Sequence, residues 1–437
     1  METQRSITRI AMLSVHTCPL ATLGGKKTGG MNVYVRDLSR EFARRGIMVD
    51  IYTRSQDPCQ PHINDSLAPN ARVIHVPAGP ESPLDTTEVY PYLPQFVQNV
   101  SAYAAQNNIK YDIIFSHYWL SGWAAHQLRS EWQVPVAQMF HTLGHMKNRI
   151  AQIKPQIRQM RDIRVFTETD IMSWADALIA ATPAERAQML WLYQTDARKI
   201  HIVPPGVDTA HFHPMDRTAA KKAAGILPED KMFLFVGRIE RLKGVDNILQ
   251  AIALIKKDDP ALLDDRVCIA IIGGNPDETT NKDAEMARLQ TLREQLAVHD
   301  LVTFIGAREQ DRLRNYYNAA EALIMPSDYE SFGMVALEAM ACGTPVIASE
   351  VGGLAYLIRD GQTGFHVPVR EPQALADRMT SLLNDPKLRA QMSQEAFKAA
   401  QAYHWSRIAD QLLAVFTTLP PPTDKKAILP AVSIGNI

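Results

Sequence analysis

The sequence is poor in the features that define several common classes of protein. It has four cysteines in 437 residues, and Cys18, Cys59, Cys268 and Cys342 stand far apart with no C-x-x-C pair. This pattern excludes a disulfide framework and a cysteine-rich zinc site, and it fits a reducing compartment, so the cytoplasm is expected. Neither sign of charge is in excess: 46 Lys and Arg face 47 Asp and Glu, for a net charge of −1. Nothing global draws the chain to nucleic acid or to an acidic membrane, and any anionic ligand must be held by a local arrangement. No apolar run reaches the length of a membrane span. The opening "METQRSITRIAMLSV" runs straight into a strand-like segment and ends in "HTCP", so no signal peptide is expected there. A G-x-G-x-x-G fingerprint is missing, which argues against a nicotinamide-dependent oxidoreductase. No D-x-D stands at a strand end, so the metal site that some sugar transferases use to hold a diphosphate is not expected.

What is present is alternation. Strand-like segments such as "ITRIAMLSV", "YDIIFSH" and "VPVAQMFH", then "KMFLFVGRI", "VCIAIIGG" and "EALIMPS", are separated by helix-like stretches. From Met31 to Arg45, Met31, Val35, Leu38 and Phe42 recur at helical spacing and Gly46 ends the run. The strands are near-continuous apolar runs, as in parallel sheets covered on both faces. The length is too great for one core, so the reading is α/β, with two doubly wound Rossmann-like domains facing a cleft. The boundary is placed at "VPPGVDTAHFHP", giving domains at 1–207 and 208–402. A helix over 403–419 is expected to pack back on the first domain, and 420–437 is expected to be a mobile tail rich in proline and small residues.

Ligands of such sheets sit outside the carboxyl ends of the strands, and the unusual residues follow those ends. "GGKKTGGMNVYV" (Gly24 to Val35) combines glycines with a helix start. It reads either as a phosphate cradle or as a flexible hinge. In "VGRIERLKG", Arg238 and Lys243 lie five apart and can neutralise a diphosphate, or can form a solvated basic turn. "YESFGMVALEAMACG" places Glu330 before a helix and Glu338 within it, eight residues on. The amides at Gly333 to Val335 can receive a phosphate. The two acids either complement the helix dipole and face solvent, or hold sugar hydroxyls. The apolar neighbours of Glu338 favour a ligand or a buried partner.

Taken together, "HTCPL", "GGMNVYV", "SHYWLSG", "FHTLGHMKN", "PPGVD", "VGRIERLKG" and "ESFGMVALEAMACGTPVIASEVGG" resemble retaining glycosyltransferases of the GT-B fold, family 4. That group includes sucrose-phosphate synthases and the mycothiol-pathway enzymes that put N-acetylglucosamine on inositol phosphate. The resemblance implies a hexosyl transfer from a UDP-sugar to a small hydroxylated acceptor, a sugar phosphate or polyol phosphate such as fructose 6-phosphate or inositol phosphate. An unphosphorylated or lipid-linked acceptor is the alternative. It further implies that Arg238 and Lys243 grip the diphosphate opposite Gly30, that Glu338 holds the ribose, and that Glu330 holds the donor sugar. The amides from Phe332 through Gly333, Met334 and Val335 would approach sugar and phosphates, Arg308 would stand beside the base, and His141 near the reacting sugar. Asn32, Tyr118, Thr142 and Arg164 would form the acceptor pocket. His141 read alone is a packed histidine, Tyr118 a core aromatic, and Arg164 with Glu168 an i,i+4 pair. No cofactor or metal is implied. The expected partners are the donor and acceptor, without nucleic acid or an integral membrane segment, and a homo-oligomer is open. One departure stands out. The family's lysine toward the acceptor phosphate comes from the loop equivalent to Gly79–Leu93, which here has no Lys or Arg; Thr86 or Thr87 falls nearest, and Lys26 or Lys27 is the substitute.

Overall fold

A computed structural model describes residues 5–21, 29–146, 155–263, 266–274 and 284–420, with the backbone alone over 155–161. Lys26, Lys27 and the tail beyond 420 lie outside the described residues.

The first half builds an eight-stranded sheet from β1 (Arg9–Leu13), β2 (Met48–Arg54), β3 (Ile63–Ala68), β4 (Ala71–Val76), β5 (Ile113–His117), β6 (Val136–Met139), β7 (Ala177–Ala180) and β8 (Ile200–Ile202). Its order is β3-β4-β2-β1-β5-β6-β7-β8, parallel except for β3. The helices are α1 (Gly30–Arg44), α2 (Thr86–Val89), α3 (Leu93–Gln106), α4 (Tyr118–Trp132), α5 (Pro155–Trp174) and α6 (Pro183–Tyr193). The second half builds a parallel sheet from β9 (Lys231–Val236), β10 (Val267–Ile272), β11 (Val302–Phe304), β12 (Ala320–Met325), β13 (Val346–Ser349) and β14 (Gly364–Val367), in the order β11-β10-β9-β12-β13-β14. Its helices are α7 (Arg217–Ala224), α8 (Val245–Asp258), α9 (Ala284–Gln295), α10 (Gln310–Ala319), α11 (Met334–Ala341), α12 (Leu354–Leu357), α13 (Pro372–Asn384) and α14 (Pro386–Ala400); α15 (Trp405–Thr418) closes the described chain.

Both sheets are buried on both faces, as their apolar runs imply. Along β1, Ile10 and Met12 join one apolar cluster while Ala11 and Leu13 join another, because successive side chains point to opposite faces. Along β9, Met232 and Leu234 belong to the same cluster as Ile10, and Phe233 and Phe235 to a third. One core therefore runs continuously from a face of the first sheet to a face of the second. Helices α1, α11 and α15 contribute to it. After α14 the chain returns toward the first half. Val207 N donates to Tyr403 O at 2.8 Å, and α15 lies along α1, with the Phe42 and Phe416 rings 6.3 Å apart and Arg45 bonded to Asp410 at 2.5 Å.

Strand β3 was not expected. "INDSLA" has no apolar alternation, and it forms at the sheet edge, where only Leu67 is buried. An edge strand packs one side only, so its sequence carries little hydrophobic signal.

Candidate active site

Strand order reverses at β1/β5 in the first sheet and at β9/β12 in the second, and these switch points face one cavity of about 650 Å³. The loops after β1, β5, β6 and β7 supply His16, Thr17, Tyr118, His141, Thr142 and Ala181. Those after β9 and β12 supply Gly237, Arg238, Lys243, Ser327, Glu330 and Ser331. The starts of α1 (Gly29 to Asn32) and α11 (Phe332 to Val335) close it between them. The two helix starts are close: a Cβ on Gly30 would stand 3.1 Å from Met334 Cγ. Each presents amides that have no partner within its own helix, at the positive end of the helix dipole. Neither first turn carries an acidic residue, so both ends suit an anion.

The cations sit on the second-domain side. Lys243 Nζ donates to Glu330 Oε2 at 2.5 Å, and Arg238 Nη1 pairs with Glu240 Oε1 at 2.6 Å. Gly244, with φ of 67°, lets the Lys243 turn fold against Pro326; a Cβ there would come within 2.1 Å of Pro326 O. Glu330 and Lys243 thus reach one another from loops of neighbouring strands, although they are 87 residues apart.

Glu338 has a buried partner, Tyr317, as its apolar neighbours suggest. It is 4% exposed, which rules out a surface position. It also does not line the cavity; it lies behind the wall, accepting from Gln310 Nε2 and from Tyr317 OH, each at 2.8 Å. Burial pushes its carboxyl up to about 7, against the pull of those two donors.

The first-domain side is tightly interlinked. Asn32 Oδ1 accepts from Gly29 N at 3.0 Å, and Asn32 Nδ2 donates to Thr17 Oγ1 at 2.6 Å and to Cys18 O at 2.7 Å. This side chain fastens the β1 loop to the start of α1. Tyr118 and His141, at the ends of adjacent strands, both have left-handed backbones, with φ of 74° and 61°. Such strain in bulky residues marks positions that the surrounding structure over-determines. His141 Nε2 lies 3.0 Å from His117 Nδ1, and Tyr34 meets both rings edge-on. Desolvation holds His141 neutral by lowering its pKa to about 3. His117 is likewise pushed well down by burial and then by His141.

Arg164 does not line the cavity. It is buried, with Nε to Glu168 Oε1 at 2.6 Å, Nη1 to Tyr118 OH at 3.0 Å and Nη2 to Thr142 O at 2.5 Å. The i,i+4 pair with Glu168 exists, and Arg164 also reaches two lining residues from behind. Arg308 stands in the loop between β11 and α10, bonded to Ala307 O at 3.0 Å, outside the lining. Gly30, Asn32, Tyr118, His141, Thr142, Arg238, Lys243, Glu330, Phe332, Gly333, Met334 and Val335 all line one cavity. His117 and Gln310 were missed. His117 lies in "SHYWLSG" and Gln310 two residues after Arg308, but nothing in the sequence shows which partner either would meet.

Two doubly wound domains with a cationic cavity between their strand ends define the GT-B class. The description "Glycosyl transferase 4-like domain" matches residues 29–206, and "Glycosyl transferases group 1" matches residues 216–399. A D-inositol 3-phosphate glycosyltransferase from Geodermatophilus obscurus is 40% identical over 94% of this chain and 89% of its own. One from Actinosynnema mirum is 39% identical over 93% and 96%. A sucrose-phosphate synthase structure from Thermosynechococcus elongatus superposes with a TM-score of 0.84 at 33% identity, covering 94% of this chain and 98% of that one. The chain belongs to the group 1 glycosyltransferases of the GT-B fold. A more distant structure, Anabaena HepE with UDP and glucose, shares the fold at a TM-score of 0.72 and 18% identity, over 95% of this chain and 100% of that one. No helix among the described residues is long and apolar enough to cross a membrane.

Proposed function

We propose that this glycosyltransferase moves a hexosyl group from a UDP-sugar to a small phosphorylated sugar or polyol, with retention of anomeric configuration and without a metal. The observation that carries the reading is the meeting of Arg238, Lys243 and Glu330 with two helix starts in one cavity. Breaking the anomeric bond leaves positive charge on the sugar and negative charge on the diphosphate. Arg238, Lys243 and the amides near Gly30 and Gly333 stabilise the diphosphate where it departs. Lys243 exchanges Glu330 for the phosphate, and Glu330 turns to the donor sugar's hydroxyls. Glu338 serves the ribose and Arg308 the base. Glu330 is taken up by the sugar's hydroxyls and does not serve as a nucleophile, so the acceptor hydroxyl attacks on the face the leaving group vacates and its proton passes to the diphosphate. His141, held neutral, donates or accepts a hydrogen bond at the sugar and carries no charge there. Domain closure excludes water.

The acceptor meets Thr17, Asn32, Tyr118 and Thr142, with Arg164 behind them. The names of the relatives, one for an inositol phosphate and one for a sucrose phosphate, support a phosphorylated acceptor. One observation favours a second reading, an unphosphorylated acceptor. The Gly79–Leu93 loop brings Asp85, Thr86 and Thr87 to the cavity and contains no cation. A mass-spectrometric product screen decides. UDP-glucose and UDP-N-acetylglucosamine are incubated with a panel of sugar phosphates, inositol phosphate and the parent polyols. Product only with unphosphorylated acceptors overturns the first reading. UDP at 100 times its dissociation constant adds about 2.7 kcal/mol of stability; a thermal shift with NAD and none with UDP would overturn the donor assignment.

A further inference from the structure

Behind the cavity wall a polar chain crosses from one domain to the other. Arg36 lies on α1, less than two turns beyond Gly30. Its guanidinium is pinned by Asp37, with Nε to Oδ1 at 2.7 Å and Nη2 to Oδ2 at 3.1 Å. The same Nη2 donates to Gln310 Oε1. Gln310 opens α10 in the other domain, and its Nε2 donates to Glu338 Oε1 at 2.8 Å. Neither Arg36, Gln310 nor Glu338 lines the cavity.

The chemistry of the three groups fixes the direction of the chain. A guanidinium only donates, so the group it meets must turn an acceptor toward it. The amide between them must therefore turn its oxygen to Arg36 and its nitrogen to Glu338. A cation of the first domain thus acts on a buried acid of the second through one side-chain amide. We infer that Gln310 is a positioning residue, held by Arg36, that sets the carboxylate of Glu338 for the nucleotide and clasps the two domains at the donor end. This rests on the reading of Glu338 as the ribose contact.

The helix whose start faces the diphosphate is therefore also the helix that orients the acid serving the ribose. Movement of α1 with its domain releases or restores the setting of Glu338, so donor affinity follows domain position.

Calorimetric titration with UDP tests the inference on the full chain. Arg36→Met and Gln310→Leu each raise the UDP dissociation constant about three- to tenfold, and the double variant binds within twofold of the weaker single, because both break one chain. Arg36→Lys, which keeps a donor toward Gln310, binds within twofold of the parent. Arg36 and Gln310 are only partly buried, and thermal melts confirm that each variant is folded. Wild-type UDP affinity in Arg36→Met, or effects that multiply in the double variant, overturn the clasp. Glu338→Ala separates the two failures. If it binds UDP like the parent, the ribose assignment falls and the positioning role falls with it. If it binds weakly while Arg36→Met does not, only the clasp falls.

Discussion

On the second-domain side of the cavity, Arg238 pairs with Glu240 at side chains 41% and 40% exposed, and Lys243 holds Glu330 in the cavity lining at 18% and 16%. On the first-domain side, Arg164 is enclosed and has given its donors to Glu168, Tyr118 and Thr142, while Asn32 has used both its oxygen and its nitrogen. Both regions carry an arginine beside a glutamate, and the difference lies in solvent. Where water competes, an ion pair is weak and exchanges readily for a ligand. Where water is excluded, the same pair is costly to break and serves to hold shape. The second-domain side is built to change partners, and the first-domain side to keep them.

Substitutions can break or sharpen this contrast. The largest effect on stability is expected from Arg164→Ala. It strips Glu168 of its cation, leaving Gly144 N and Tyr193 OH as its partners, and removing one member of a buried pair costs about 3–5 kcal/mol. Chemical denaturation measures it; a loss below that of a surface variant would mean that water reaches the pair. Lys243→Ala is the converse. Loss of one positioned donor to a developing anion lowers kcat by about 10²–10³, equivalent to roughly 2.7–4 kcal/mol. Denaturation of this variant moves little. Should its stability fall as far as that of Arg164→Ala, the two sides are not different in kind.

A third test uses pH. Glu185, in the first turn of α6, is buried against the end of β7, with Oε2 accepting from Ala181 N at 2.6 Å, and desolvation raises its carboxyl from 4.5 to about 7. Because the folded value is the higher one, its contribution to stability is full below 4.5 and is lost as pH rises through 7. That distance is worth about 3 kcal/mol. Glu185→Gln therefore gains on the parent as pH climbs from about 5 to about 8, a difference that denaturation across that window reads. His141 has the opposite sign. Lowered from 6.5 to about 3, it contributes stability above 6.5 that is lost as pH falls, in parent and variant alike. A flat difference between the two proteins would place water at Glu185. The smallest effect belongs to Asp410→Ala. Its side chain is 69% exposed, so the cost is within about 1 kcal/mol, whereas Phe416→Ala costs about 3–5 kcal/mol. The attachment of α15 to α1 is thereby assigned to apolar packing.

Much of the second-domain side of the cavity was legible because its residues follow strand ends at fixed local spacings. Glu330 and Lys243 flank strands that lie side by side in the sheet, so a rule about ligands at carboxyl ends brings them together. Arg164 could not be settled that way. Its spacing to Glu168 is local, but its contact with Thr142 depends on how α5 packs over the β6 loop. Gln310 and His117 left no trace at all, since a polar residue at a helix start or strand end is ordinary until its neighbour is known. The edge strand β3 escaped for a related reason: a strand buried on one side needs few apolar residues.

The sequence by itself determined two doubly wound sheets and the cations and acids that follow their strands. These come from apolar runs and loop residues, whose effects act along a few neighbouring positions. Only the tertiary structure decided which charges are enclosed and which stand in water, and that Arg36 reaches Glu338 through Gln310. Burial and partner choice arise from segments far apart in the chain, and the strength of an ion pair depends on the solvent those segments exclude.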